Sequence, residues 1–180
     1  AFPDKPMTLI VPYPPGGATD VVGRILAKAL GSRLGQTMVV ENKAGAGTAI
    51  GATALAQAAP DGHTLFFSSN TTYTMNPAIK SSLPYDPQKF DAIGVVGVVP
   101  LALLANPSLP ASNARDVVAL AKRAPGKLSY GSFGTGTSSH FGGEIFKYET
   151  GVDILHVPYK GSAPAMQDVI AGQIQLTVDT

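Results

Sequence analysis

MTLIVPYPPGGATDVVGRILAKAL (7–30) decides the fold. Residues 7–12 are an apolar run that reads as a buried-type strand. Pro14 and Pro15 then fix the backbone and remove two donors. Gly16 and Gly17 allow a turn with positive φ and a close approach of backbone to a ligand. Thr19 or Asp20 can cap a helix running to about residue 34, with Val21, Val22, Ile25, Leu26 and Leu30 on one face. The amides of Gly17, Ala18 and Thr19 are thereby left at a helix N-terminus. Free donors and partial positive charge make such an end favourable for an anion.

Outward from this stretch the chain keeps alternating strand and helix. Strands are expected at 37–42 and 63–68, with an Ala-rich helix between them ending near Ala58 and a turn at Pro60-Asp61-Gly62. The polar run 69–77 leads into a loop around 84–87. IGVVGVVPLALLAN (93–106) is too long and too apolar for an ordinary strand with a proline inside it. It is read as a strand that crosses from one domain to another, giving a first lobe 1–104 and a second lobe 105–180. The second part repeats the rhythm: a helix from Ser112 or Asn113 to about Arg123, a strand 127–132, and a Gly-rich loop. A helix 138–150, a strand 153–158, a helix 164–171 and a strand 173–180 follow. Such alternation specifies an α/β fold with mainly parallel sheets flanked by helices. The chain stops on a strand at Asp179-Thr180 with no covering helix, so the second lobe is expected to be incomplete.

Composition limits the function classes. The 180 residues are enough to bury a real core. Hydrophobic residues make up 44% and charged ones 14%, with no apolar run long enough to span a bilayer. Thirteen basic residues, dispersed along the chain, against 12 acidic ones give +1, which argues against nucleic-acid binding. The absence of cysteine excludes disulfides and thiolate metal sites. The start, Ala1-Phe2-Pro3, looks like a mature end left after cleavage behind a small residue.

In α/β sheets ligands bind beyond the carboxyl ends of the strands. Three loops there have suitable composition. The first is 13–19. In the second, Gly134 and Gly136 give backbone freedom, and Thr135, Thr137, Ser138 and Ser139 supply hydroxyls at the start of the next helix. The third offers Tyr159 and Lys160. A neutral, hydroxyl-rich pocket with two helix ends would hold a carboxylate without an arginine. Competing readings are weaker. Asp20 is better read as a helix cap than as a ligand or catalytic acid. His140 and Glu144 share a helix face, but a lone pair of this kind is usually surface or packing rather than metal. His63 and His156 read as strand residues. Ser138 and Ser139 beside His140 suggest a nucleophile and base, yet no G-x-S-x-G elbow is present. GAGTAIG (45–51) departs from the dinucleotide spacing, and no Walker A sequence occurs. No catalytic set, metal site or cofactor is therefore expected.

At these residues a family resemblance emerges. PDKPMTLIVPYPPGGATDVVGRILAKALGSRLGQTMVVENKAGAGTAIG (3–51) resembles the start of a mature Bug-type, TctC-like receptor, the extracytoplasmic solute-binding protein of tripartite tricarboxylate transporters. PDGHTLFFSSNTTYTMNP (60–77), LSYGSFGTGTSSHFGGEIFK (128–147) and HVPYKGSAPAMQDVIAGQIQLTVD (156–179) follow in family order. The resemblance implies a type-II periplasmic-binding-protein fold, two lobes closing over one small carboxylated solute. It also implies a periplasmic location and membrane permease subunits as partners, without membrane insertion. Family ligands include carboxylic acids, amino acids and nicotinate-like compounds, and family members continue well past residue 180. The ligand-binding set it suggests is Tyr13, Pro14, Gly16, Gly17, Ala18 and Thr19 in the first lobe, with Ser69. In the second lobe it comprises Ser132, Thr135, Gly136, Thr137 and Ser138, with Tyr159 and Asp179. The alternatives are a hydrolase or lyase on the same fold using Ser138 or His140, and a sensory ligand-binding module.

Overall fold

The computed structural model describes residues 2–180. The chain divides into two compact units, one up to Gly94 and one from Val95 to Thr180.

In the first unit, β1 (Met7–Val11) is the centre of a three-stranded parallel sheet, flanked by β2 (Met38–Asn42) and β3 (Thr64–Phe66). Met7 pairs with Met38 and Thr8 with Thr64. A central parallel strand is covered on both faces, and four of the five β1 residues are accordingly buried. Helix α1 (Ala18–Leu34) packs on one face, where Leu9, Val11 and Ala27 form a core with Met38, Val40, Leu65 and Phe67 around them. Its buried stripe is Asp20, Gly23 and Ala27, while Val21 and Ile25 are exposed at 50% and 64%. The expected apolar face is therefore rotated. A Cβ on Gly23 would lie 3.1 Å from Val11 Cγ2, so the helix approaches the sheet on its small residues and not its large ones. Helix α2 (Ala49–Ala56) joins Tyr85, Phe66, Leu83 and Phe90 in a second small core.

The polar run after β3, read from the sequence only as leading into a loop, is helical. A π-helical turn, Thr71–Met75, continues into α3 (Asn76–Ile79). Thr71, Thr72 and Asn76 are fully buried. Thr72 donates to Thr48 (2.7 Å), Asn76 donates to the Gly47 carbonyl (2.7 Å), and the Tyr85 hydroxyl donates to the Thr72 carbonyl (2.8 Å). Long-range polar partners thus stabilise a helix that local polarity would not.

The apolar run 93–106 is not one long strand. Only β4 (Ala102–Ala105) is regular, and Ile93, Val95 and Val98 stand 84–91% exposed. Two glycines and Pro100 weaken pairing, and among the described residues no strand lies beside 93–101.

The second unit orders its sheet β4, β7 (Leu176–Asp179), β5 (Ser129–Ser132), β6 (Leu155–Pro158). β7 runs parallel to β5 and antiparallel to β4. α4 (Ala114–Arg123) starts where expected, with Asn113 accepting from the Arg115 and Asp116 amides (2.9 and 3.1 Å). It packs Val117 and Ala121 against Tyr130, Ile154, Leu176 and Val178. α5 (Ser138–Thr150) and α6 (Ser162–Ile170) complete the unit.

Candidate functional site

The loop from β1 to α1 has the features of an anion-binding helix end. Gly16 turns at φ +90°, and nothing lies within 4 Å of where its side chain would be. Gly17 does not share the positive φ that two adjacent glycines suggested: it is the N-cap of α1 at φ −82°, ψ 167°. Having no side chain, it leaves the first-turn amides, Ala18 and Thr19 among them, without a cap. Among the described residues the Thr19 hydroxyl also has no partner. The Gly16 amide, in contrast, is committed: it donates to Asp20 Oδ2 (2.9 Å). Asp20 is therefore not the helix cap but the third residue of the helix, reaching back to lock the loop. Pro14 is half-buried. The Tyr13 hydroxyl lies 2.7 Å from Ser69 Oγ, which brings together two expected site residues 56 positions apart in the sequence. Burial pushes the Tyr13 hydroxyl's pKa up, against hydrogen bonds from Ser69, Thr71 and Ser68, so it stays protonated.

The second unit builds the corresponding turn from β5 to α5. Gly136 takes φ +81°, and Thr137 is the N-cap at φ −82°, ψ 164°. Thr137 is buried, accepts from the His140 amide (3.4 Å) and donates to the Gly134 carbonyl (2.7 Å). The Gly136 amide donates to His140 Nδ1 (3.3 Å). Ser132 is fully buried, hydrogen-bonded to His156 Nε2 (2.7 Å) and accepting from the Gly134 amide (3.2 Å). Of the residues expected at this loop, Thr135 is exposed and Ser138 half-buried, while the other three hold the loop's shape. The third loop is tied in as well. The Tyr159 amide donates to the Ser132 carbonyl (3.0 Å), and its hydroxyl donates to Asp168 (2.6 Å). Burial and then Asp168 push that hydroxyl up to about 12. Asp179 is buried and accepts from Ser162 Oγ (2.6 Å) at the first residue of α6.

Beneath this loop the structure gathers side chains that sequence neighbourhood did not connect. The His140 and His156 rings lie 4.2 Å apart, and Tyr130 stacks on His156 at 4.9 Å. Tyr130 donates to Glu144 (2.8 Å), which also pairs with Lys147 (2.9 Å) and faces His140 Nε2 at 4.0 Å. Burial, followed by the neighbouring His140, drives His156 down to about 4, and burial lowers His140. Both imidazoles are therefore neutral at neutral pH. His140 Nδ1 accepts from Gly136, so its proton sits on Nε2. The one clear signal for this cluster was the His-x-x-x-Glu spacing of 140 and 144; nothing local announced His156.

Among the described residues no three His, Cys, Asp or Glu side chains are placed to hold a metal ion. The Ser132–His156 contact places a hydroxyl on an imidazole, but Ser132 is inaccessible. A shallow cavity of about 430 Å³ on α2, lined by Ala46, Ile50, Thr53 and Pro84, lies apart from residues 13–19. No described helix is long and apolar enough to cross a membrane.

Comparison with known proteins agrees with this picture. Protein BugT of Bordetella pertussis is 38% identical over 180 residues, covering 99% of this chain and 55% of BugT. The solved structure of R. palustris Rpa4515 with adipate has a TM-score of 0.96 at 35% identity, over 99% of this chain and 60% of that one. MatC from Rhodopseudomonas palustris with bound malate has a TM-score of 0.91 at 32% identity, over 99% and 61%. The chain spans little more than half the length of the curated relatives it matches. The α/β reading thus agrees with solved structures over nearly all of this chain. The family match begins at residue 22, just past the first loop, and runs to 180. The chain belongs to the receptors of the tripartite tricarboxylate transporter family.

Proposed function

We propose that this chain is the ligand-binding portion of a periplasmic receptor. It captures a small carboxylate-bearing metabolite and delivers it unchanged to the membrane permease subunits of a tripartite tricarboxylate-type transporter. The observation that carries the reading is the start of α1 on a glycine, which leaves a helix N-terminus open to an anion beside a rigid loop. The relatives solved with adipate and malate supply the ligand class. In this reading the first-turn amides from Ala18 onward and the Thr19 hydroxyl hold carboxylate oxygens. In the second unit, Thr135 and Ser138 at the start of α5 are the proposed ligand contacts. Ser132, Gly136, Thr137 and Asp179 hold the loops of that unit in shape.

The test is calorimetry with adipate and malate against their diamides, with the ligand recovered and analysed afterwards. Charge-assisted hydrogen bonds contribute about 1.5–3 kcal/mol each, so the diamides are expected to bind at least about tenfold more weakly. Equal affinity for acid and amide overturns the helix-end reading. A ligand returned as a different compound establishes an enzyme instead.

A further inference from the structure

The β1–α1 loop contains a contradiction. A buried carboxylate, Asp20, stands in the helix turn that is read as an anion site, where its charge would repel a second anion. The structure resolves it through two neighbours. Asp20 Oδ2 accepts from the Gly16 amide (2.9 Å) and Arg24 Nε (3.0 Å). Asp20 Oδ1 accepts from Asn42 Nδ2 (2.8 Å) and pairs with an Arg24 terminal nitrogen (3.0 Å). Asn42 in turn donates to the Tyr13 carbonyl (2.9 Å) and accepts from Arg24 (3.0 Å). Three hydrogen bonds and one ion-pair contact thus satisfy the carboxylate from the protein side.

We propose that Asp20, Arg24 and Asn42 are positioning residues for carboxylate binding. Asp20 and Asn42 fix the two ends of the Pro-Pro-Gly turn, and Arg24 cancels the Asp20 charge so that the uncapped end of α1 still attracts an anion. This inference rests on the reading of the chain as a carboxylate receptor. Its physical content is preorganisation. A loop already held at Tyr13 and Gly16 does not lose that freedom when a ligand arrives. Arg24 meets both carboxylate oxygens, Oδ2 by a charge-assisted hydrogen bond from Nε and Oδ1 by an ion-pair contact of its terminal nitrogen. Burial alone would raise the Asp20 pKa, but its bonds from Arg24, Gly16 and Asn42 reverse the shift, so it is ionised throughout the neutral range. None of the three side chains is required to touch ligand, and Arg24 is half exposed on the helix surface.

The experiment uses the full chain, Asp20→Asn and Arg24→Gln, with amide exchange by NMR and calorimetry with malate and adipate. Without ligand, the Gly16 amide is expected to be protected in the parent and to exchange at least about tenfold faster in Asp20→Asn, while β1 amides are unchanged. Arg24→Gln is expected to keep Gly16 protected yet weaken dicarboxylate binding about three- to tenfold, more at low salt than at high. A merely structural role would show no such salt dependence. Gly16 exchange unaffected by Asp20→Asn overturns the inference, as does unchanged affinity in Arg24→Gln. A parent chain that binds neither probe overturns the receptor reading instead, and ligand-free Gly16 exchange still judges the clamp.

Discussion

The two strand-to-helix turns, 12–20 and 132–140, have the same backbone device and different chemistry. In each, a glycine at positive φ precedes an extended N-cap. In each, that glycine's amide donates to the side chain of the third helical residue, Asp20 in one and His140 in the other. In each, the sixth helical residue is a glycine pressed on the sheet, Gly23 against Val11 and Gly143 against Tyr130. The first turn is locked by a carboxylate whose charge is paired, and its N-cap is empty. The second is locked by a neutral imidazole, and its N-cap is filled by Thr137. One geometry can thus be held by a group insensitive to pH near neutrality or by one that titrates, with different openness to an outside anion.

The largest effect is expected from closing the open end. Gly17→Asp puts a carboxylate at the N-cap, where the backbone is already extended and accepts any residue. α1 should gain about 1 kcal/mol while solute affinity falls about a hundredfold or more, since the side chain competes for the same amides. Thermal melting and calorimetry should therefore move in opposite directions. Affinity that survives would show that the empty cap is not the anion site.

The next comparison is mechanical. A Cβ on Gly143 would fall 2.1 Å from the Tyr130 ring, which is itself held by Glu144, whereas one on Gly23 would meet Val11 Cγ2 at 3.1 Å. Gly143→Ala is expected to destabilise the second unit by about 1–3 kcal/mol, and Gly23→Ala to cost the first unit less. Denaturant unfolding of both variants checks the order. Equal costs would show that the closer approach at Gly143 adds no strain beyond that at Gly23.

The smallest effect concerns pH. His140 and His156 have pKa values below 6.5, because burial disfavours their charged forms. The unfolded chain therefore binds more protons, and stability is lost as pH falls below 6.5, with the His156 contribution levelling off near its folded value of about 4. Protonated His140 can no longer accept from Gly136, so the second loop should loosen with acid while the first, held by ionised Asp20, stays firm. The groups facing the two rings are Tyr130, Glu144 and Lys147. Gly136 and Gly16 amide exchange at pH 7 and pH 5 measures the contrast directly. His156→Phe, which keeps the stack on Tyr130, should flatten the slope of melting temperature against pH. A Gly136 amide as well protected at pH 5 as at pH 7 would break it.

The correspondence between the turns was partly legible beforehand. Glycines at 16 and 23 recur at 136 and 143 with the same spacing, and both loops could be named as candidate anion sites. Their internal wiring was not legible. Asp20 reads as a cap because cap preferences are local, yet its partners include Asn42 at the end of β2. His156 reads as an ordinary strand residue because its partners, Ser132 and His140, come from β5 and α5. Val21 and Ile25 satisfy helical periodicity but face outward, since the sheet selected Gly23 and Ala27 for close approach.

By itself the sequence determined what depends on neighbouring residues. The alternation of strand and helix, the start of α4 at Asn113, the limits of α5 and the positive-φ turns at Gly16 and Gly136 follow from local backbone preferences and short-range periodicity. Tertiary structure alone decided what depends on partners far along the chain. Thr71–Met75 became helical because buried hydroxyl and amide partners satisfied it. Residues 93–101 stayed irregular because a strand requires a neighbour to accept its hydrogen bonds, however apolar its sequence. Which loop amides remain free for a ligand was settled the same way, by whether a side chain of the protein reached them first.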